Sequence, residues 1–353
     1  MNSLEYYRVE CPKCHGPLNS TTPLSGGTAC PFCGTVYHIT ANMTKEAEMP
    51  EQIVPFFTLS DDFVQSAREM LLNEEYAPAH ISGLISFKGA KGVYLPVYLY
   101  EGKYECSWSC EVKQAAADAG ERKDTARRVT VYHPQNGVSK GEYAIVCLAC
   151  DGIDSGKKLA EYVRGLDFSG DNIKPFLPDD LNDRFFLTRN RDSQYTWEKQ
   201  GKDTLNNTIR KNALMQFPDN EIKNFKYHIT SDPLSEGRLI YFPIWMVNYL
   251  YDGESHHIFM DGTGRNGVKG TTLIDRALKE KAENPFKILK YIAVAAIVIP
   301  LLMLLAGWYL QAIIALLAMG LVFFGYRNYA LRHKDRVIRK ARKEREKFLI
   351  RNS

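Results

Sequence analysis

Residues 11–34 read CPKCHGPLNSTTPLSGGTACPFCG. Cys11-Pro-Lys-Cys14 opens the stretch, Cys30-Pro-Phe-Cys33 closes it, and 15 residues lie between the two pairs. Two CxxC pairs at that spacing form the pattern of a four-thiolate site, because each tight turn aims both sulfurs at one tetrahedral ion ~2.3 Å away. Cys11, Cys14, Cys30 and Cys33 are therefore the expected ligands of one structural Zn²⁺, with Gly16 and Gly34 supplying permissive backbone just after each turn. Two short strands between the pairs would complete a zinc ribbon over residues 1–48. A redox dithiol fits less well, since thioredoxin-like chemistry uses a single CxxC on a βαβ unit; iron is the chemical alternative that an S₄ cage also accepts. Four protein ligands leave no open coordination position. The metal is thus expected to fold the module, contributing ~10–16 kcal/mol, rather than to catalyse.

The remaining cysteines read differently. Cys106, Cys110, Cys147 and Cys150 sit in strand-like runs without the Pro and Gly of a metal-binding turn, so they are expected to be ordinary core or surface thiols. Eight cysteines in 353 residues are too few for a disulfide scaffold, and no basic-then-apolar leader is visible at the N-terminus.

At the other end, the 36 residues from Tyr291 to Tyr326 contain no charged side chain, and Gln311 is the most polar among them. A single span needs ~20 apolar residues, so this run suits two helices and a turn near Gly307–Gln311. The reading is a transmembrane hairpin over 287–326, with spans from about Ile288 to Ala306 and from Tyr309 to Tyr326. Lys287 and Lys290 precede the run and a basic tail follows it, so the positive-inside rule puts both termini on the cytoplasmic side of the inner membrane. The tail, 327–353, carries 11 Lys and Arg against 3 Asp and Glu, or +8; with +4 for the whole chain, residues 1–326 stand at −4. The tail should lie on anionic lipid, where each cation contributes on the order of 1 kcal/mol. Residues 1–50 hold only Arg8, Lys13 and Lys45 as cations against Glu5, Glu10, Glu46 and Glu48, so nucleic acid loses its electrostatic support.

Between ribbon and membrane, residues 49–280 read as an α+β domain. Met49–Phe57, with Pro50 and Pro55, reads as an extended linker. Ser60 is a natural N-cap, Asp61 and Asp62 suit a helix N-terminus, and Phe63, Ala67, Met70 and Leu71 recur at helical spacing. Gly156–Val163 and Leu205–Met215 read as further helices, and Asp171–Asp183 as loop. Tyr94-Leu-Pro96-Val-Tyr98-Leu-Tyr100 alternates like a strand and should turn at Glu101-Gly102. Similar wording returns 147 residues later as Tyr241-Phe-Pro243-Ile-Trp245, turning at Asp252-Gly253, which suggests an internal duplication with halves 60–165 and 166–280. Gly262-Thr-Gly264-Arg-Asn-Gly267 spells GxGxxG, but no helix opens at its third glycine, so it reads as a hairpin turn. No recognisable catalytic set appears, and the chain does not read as an enzyme.

With the ribbon, Glu51-Gln-Ile-Val-Pro55-Phe, the Tyr94-Leu-Pro96 and Phe242-Pro243-Ile-Trp245 strands and the Asp261-Gly-Thr-Gly264 turn in order, the chain resembles bacterial TFIIB-type zinc-ribbon-containing proteins over roughly residues 11–280. That resemblance implies a membrane protein working beside SPFH/flotillin-type proteins and phage-shock protein A in envelope stress. Cys147 and Cys150 stand where the family would be expected to have small or polar residues. The function expected is a membrane-anchored adaptor whose cytoplasmic surface docks protein partners; the alternative is a membrane-tethered nucleic-acid binder using ribbon and tail.

Overall fold

Val93, Leu95, Val97 and Leu99 alternate with Tyr94, Tyr98 and Tyr100, and all seven are buried, so the strand that carries them is apolar on both faces. That strand, β7 (Lys91–Gln114), runs 24 residues without a break. The turn expected at Glu101-Gly102 is absent: Gly102 sits opposite Tyr143 within the ladder to β8 (Val131–Leu148). Gly102 is a strand glycine because an aromatic ring covers it, since a Cβ there would lie 2.6 Å from Tyr143 Oη.

The computed structural model describes residues 3–78, 81, 90–114, 131–151, 156–166, 172–182, 184–217, 221–229, 236–251 and 254–352. They fall into two units. The first comprises Met1–Ser60, Ala90–Val247 and Phe259–Gly267; the second comprises Asp61–Gly89, Asn248–Ile258 and Val268–Ser353. Together they give the mixed α+β class expected.

In the first unit the N-terminal strands are β1 (Ser3–Glu10), β2 (Pro17–Ser20), β3 (Gly26–Ala29), β4 (Val36–Ile39), β5 (Met43–Glu48) and β6 (Gln52–Ile53). Later come β9 (Lys174–Pro175), β10 (Phe185–Phe186), β11 (Ile222–Ile229), β12 (Arg238–Tyr251) as far as Val247, and β13 (Glu254–Asp261) from Phe259 onward. The long strand β7 organises them: β10 and β8 share one of its edges, β12 and β11 the other, and β2, β1 and β5 continue beyond β10. One face of β7 sends Val93, Leu95, Val97 and Leu99 into a core that also holds Cys11, Leu18, Cys30, Phe32 and Cys33. Its other face sends Tyr98, Tyr100, Tyr104, Cys106, Trp108 and Cys110 against Trp197, Leu205 and Ile209. Cys106, Cys110, Cys147 and Cys150 are thus buried core thiols.

Among the described residues of this unit are the helices α2 (Gly156–Arg164), α3 (Ser193–Thr196) and α4 (Lys202–Leu214). The last two are joined by a wide π turn, Trp197–Gly201, so the helical segment starts 12 residues before the expected Leu205. Asp192 caps it through Tyr195 N–H at 2.7 Å. The stretch 49–57 is extended as expected but is no linker. Its β6 pairs with both β12 and β9, and Val54 is buried in the core. Within 172–182, β9 and a short 3₁₀ turn, Pro178–Leu181, stand where loop was expected; Asp171 and Asp183 lie outside the described residues.

The two similar stretches lie edge to edge in one sheet. β7 and β12 pair antiparallel with Leu95 opposite Phe242, flanked by Tyr94 opposite Pro243 and Pro96 opposite Tyr241, which is a local two-fold relation. Backbone bonds repeat around it. Val54 N–H donates to Tyr241 O and Leu187 N–H to Tyr94 O, both at 2.9 Å. Phe57 and Thr58 donate to Gly262 O as Asn190 and Arg191 donate to Ala149 O, and Gly262 N–H donates to Pro243 O as Ala149 N–H does to Pro96 O. The Asp252-Gly253 turn lies outside the described residues. Asp261–Gly267 is the expected turn, held by the Asp261 carboxylate accepting from Thr263 and Asn266 N–H at 2.8 Å each.

The second unit contains α1 (Ser60–Asn73), whose buried residues Phe63, Ala67 and Leu71 follow the expected stripe. It also contains β14 (Val268–Gly270) and two long helices, α5 (Arg276–Leu305) and α6 (Tyr309–Asn352), packed as a hairpin. Both are long and apolar enough to cross a membrane, and their apolar windows are only 6% buried. Gly307, at φ +79°, makes the turn between them. The basic segment continues α6 without interruption, and part of it is fastened to α1: Arg345 is buried and donates to Leu72 O at 2.9 Å and Glu74 O at 2.8 Å. Lys334 pairs with Glu75 at 2.8 Å.

Candidate metal centre

The first CxxC turn joins β1 to β2, and the second joins β3 to β4. Both are built alike. Cys11 N–H donates to Gly16 O at 3.1 Å and His15 N–H to Cys11 O at 2.9 Å; Cys30 N–H donates to Thr35 O and Gly34 N–H to Cys30 O, each at 2.9 Å. The fifth residue of each turn is left-handed: His15 at φ +55° and Gly34 at φ +73°. Gly34 fills that position as expected, but in the first turn it is His15, not Gly16, that adopts it. Gly16 is needed for room, because a Cβ there would fall 2.6 Å from the ring of Phe32.

These turns bring the four expected sulfurs together, all within 4.8 Å of one another. Cys11 Sγ lies 3.6 Å from Cys33 Sγ, and Cys14 Sγ lies 3.7 Å from Cys30 Sγ. Bonds of ~2.3 Å to a central ion give tetrahedron edges of about 3.8 Å, so the cage has the size a metal requires. Cys11, Cys30 and Cys33 are buried among Leu18, Phe32 and Leu187, which makes the cluster part of the first unit's largest core. Burial pushes the Cys14 thiol up to about 12 and Cys30 higher still. Cys33 also feels burial, but the hydroxyl and backbone of Thr35 and the neighbouring thiols carry it below the ordinary thiol value. A cation among them would supply the charge that ionises all four. Residue spacing picked out the four clustered cysteines; it could not pick out Phe32 and Thr35, which wall the cluster.

Beside the first turn lies a cavity of about 200 Å³ lined by Arg8, His15, Cys150, Asp151, Thr188 and Asn190 among others. Cys150 is pushed up to about 12 by burial, so it stays a protonated thiol. Asp151 is held below the usual carboxylate range by Arg191, which donates to it through Nε at 2.9 Å and Nη2 at 2.7 Å. Among the described residues only Cys11, Cys14, Cys30 and Cys33 form a metal-sized cluster.

Comparison stops there. No family model, curated protein or solved structure matches this chain.

Proposed function

We propose that the chain is a membrane-anchored adaptor whose cytoplasmic body is organised by one structural Zn²⁺ and docks protein partners. The observation that carries this reading is the closed cluster of Cys11, Cys14, Cys30 and Cys33. Four sulfurs complete a tetrahedron and leave no position for substrate or water, so the ion serves the fold. Zinc suits the site because tetrahedral thiolate coordination costs it no electronic preference. The exposed apolar surface of α5 and α6 supports insertion as two spans, and the cations at 287, 290 and beyond 326 support termini on the cytoplasmic side.

The local two-fold around Leu95 and Phe242 supports an internal duplication, with repeats spanning about 52–149 and 185–262. In that arrangement β6 pairs with β12 while β10 pairs with β7, so each repeat would lend its short first strand to the other. Such a body presents two related surfaces. By the resemblance above, SPFH/flotillin-type and phage-shock-type proteins are the partner classes to test.

Tethered nucleic-acid binding is the competing function. The tail gives it reduced support, since Lys334, Arg342 and Arg345 already bond within the protein. A salt series on the purified full chain separates the two: an adaptor retains its protein partner at moderate salt. Retention of DNA or RNA instead, falling steeply with salt, would favour the binder.

A further inference from the structure

Beyond the apolar run, α5 and α6 leave between them a cleft of about 300 Å³ whose lining includes Leu278, Lys281, His333, Arg336, Lys340 and Glu344. Three permanent cations and one carboxylate make it +2, counting His333 neutral. On the same helix, the cations directed at α1 are already engaged: Lys334 with Glu75, Arg342 with Asn73 Oδ1 at 3.1 Å, and Arg345 with two carbonyls. The cleft cations differ. Among the described residues Lys281, Arg336 and Lys340 form no ion pair, and Arg336 only donates Nε to Arg332 O at a long 3.4 Å. His333 Nδ1 is buried there without a hydrogen-bond partner.

Lys281, Arg336 and Lys340 are exposed around the cleft, and cations gathered at one concave site attract an anion. A guanidinium fork with ammonium groups beside it matches phosphate oxygens. The volume is at the small end for ligand sites, which suits one phosphate group and its ester rather than an extended strand. At 1.5 Å per residue, His333 lies ~10 Å and Glu344 ~27 Å along α6 from Tyr326. The headgroup layer is roughly 5–8 Å deep on each side. The near end of the cleft therefore adjoins lipid headgroups and the far end opens to water.

The geometry points to a phosphate-binding cleft between α5 and α6, filled either by an anionic headgroup or by a soluble phosphate compound. Full-length protein in phosphatidylcholine nanodiscs is titrated with inorganic pyrophosphate; in a second arm, phosphatidylglycerol retained by the protein is quantified by mass spectrometry. The double variant R336Q/K340Q is compared with R332Q/K343Q, which removes equal charge outside the cleft. Loss of charge-assisted bonds should weaken binding at least ~tenfold in the first and less than ~twofold in the second. Lys281→Gln, on the opposite helix, should weaken it in the same arm. Loss confined to pyrophosphate identifies a soluble ligand, and loss confined to phosphatidylglycerol identifies the headgroup. Equal loss in both double variants, or no binding in either arm, overturns the cleft.

Discussion

The ring of Tyr104 covers Gly141, its direct partner across β7 and β8, so closely that a Cβ on Gly141 would lie 2.8 Å from Tyr104 Cε1. The arrangement occurs three times along one hairpin, with Tyr143 over Gly102 and Trp108 over Gly137. Each ring shields a glycine that would otherwise weaken the strand. Tyr104 cannot swing aside freely, because it is buried and its hydroxyl accepts from Asn212 Nδ2 at 2.9 Å. Gly141→Ala should thus lose about 1–3 kcal/mol by overpacking, outweighing the ~0.5–1 kcal/mol gained from a stiffer unfolded chain. Denaturant melts of the two proteins check this, and a stabilised variant would refute it.

Metal removal should affect more than the two turns. Since Cys11, Cys30 and Cys33 share a core with Leu95 and Leu187, stripping the ion should expose residues of the first unit well beyond 11–34. Elemental analysis should find one zinc per chain, and Cys11→Ser should lose it. Hydrogen exchange after chelation should then show deprotection in β7 as well as in the turns.

The turns themselves separate conformation from space. Gly34→Ala forces a Cβ into left-handed backbone and should cost about 1–2 kcal/mol, whereas His15→Gly, at the matching position, should stay within about 0.5 kcal/mol of wild type. Gly16→Ala should cost about 1–3 kcal/mol by displacing Phe32. Midpoints of zinc loss to a competing chelator rank the three.

Arg345 ties the far end of α6 to the C-terminus of α1. Removing its charged donors leaves Leu72 O and Glu74 O without them, so Arg345→Gln should destabilise the second unit by about 1.5–3 kcal/mol. Arg345→Lys should restore part of it, because both bonds leave one nitrogen, Nη1, and an ammonium carries three N–H donors. Limited proteolysis near residues 72–78 reports the loosening.

Asp151 gives a pH signature. Arg191 depresses its carboxyl in the folded state, so the pair stabilises above the unfolded value of ~3.9, and that contribution is lost as pH falls through the lower folded value. The Asp151 side chain is 55% exposed, which limits the effect to below ~1 kcal/mol. The melting gap between wild type and Asp151→Asn should be open at pH 6 and close toward pH 3.

What the sequence reveals here depends on the range of the forces involved. Metal ligands need fixed local spacing, an apolar hairpin needs a minimum run, and a capped helix shows its stripe; hence Cys11 to Cys33, 291–326 and Ser60–Asn73 were readable. Gly102 was not, because a glycine before a charged residue signals a turn until Tyr143 arrives from 41 residues away to cover it. Two-residue strands such as β6 and β10 carry no period at all. His15 was missed because its left-handed backbone is imposed by the bonds of the turn, not by residue type.

The central claim is that a zinc-organised, membrane-anchored body docks protein partners. Its most direct test is a mild-detergent pull-down of the tagged full chain from native membranes, comparing wild type with Cys11→Ser/Cys14→Ser and measuring partner stoichiometry by mass spectrometry. The account predicts a membrane protein recovered in fixed ratio with wild type and lost with the variant. Recovery of nucleic acid alone, or of the same proteins at the same ratio by both, would contradict it.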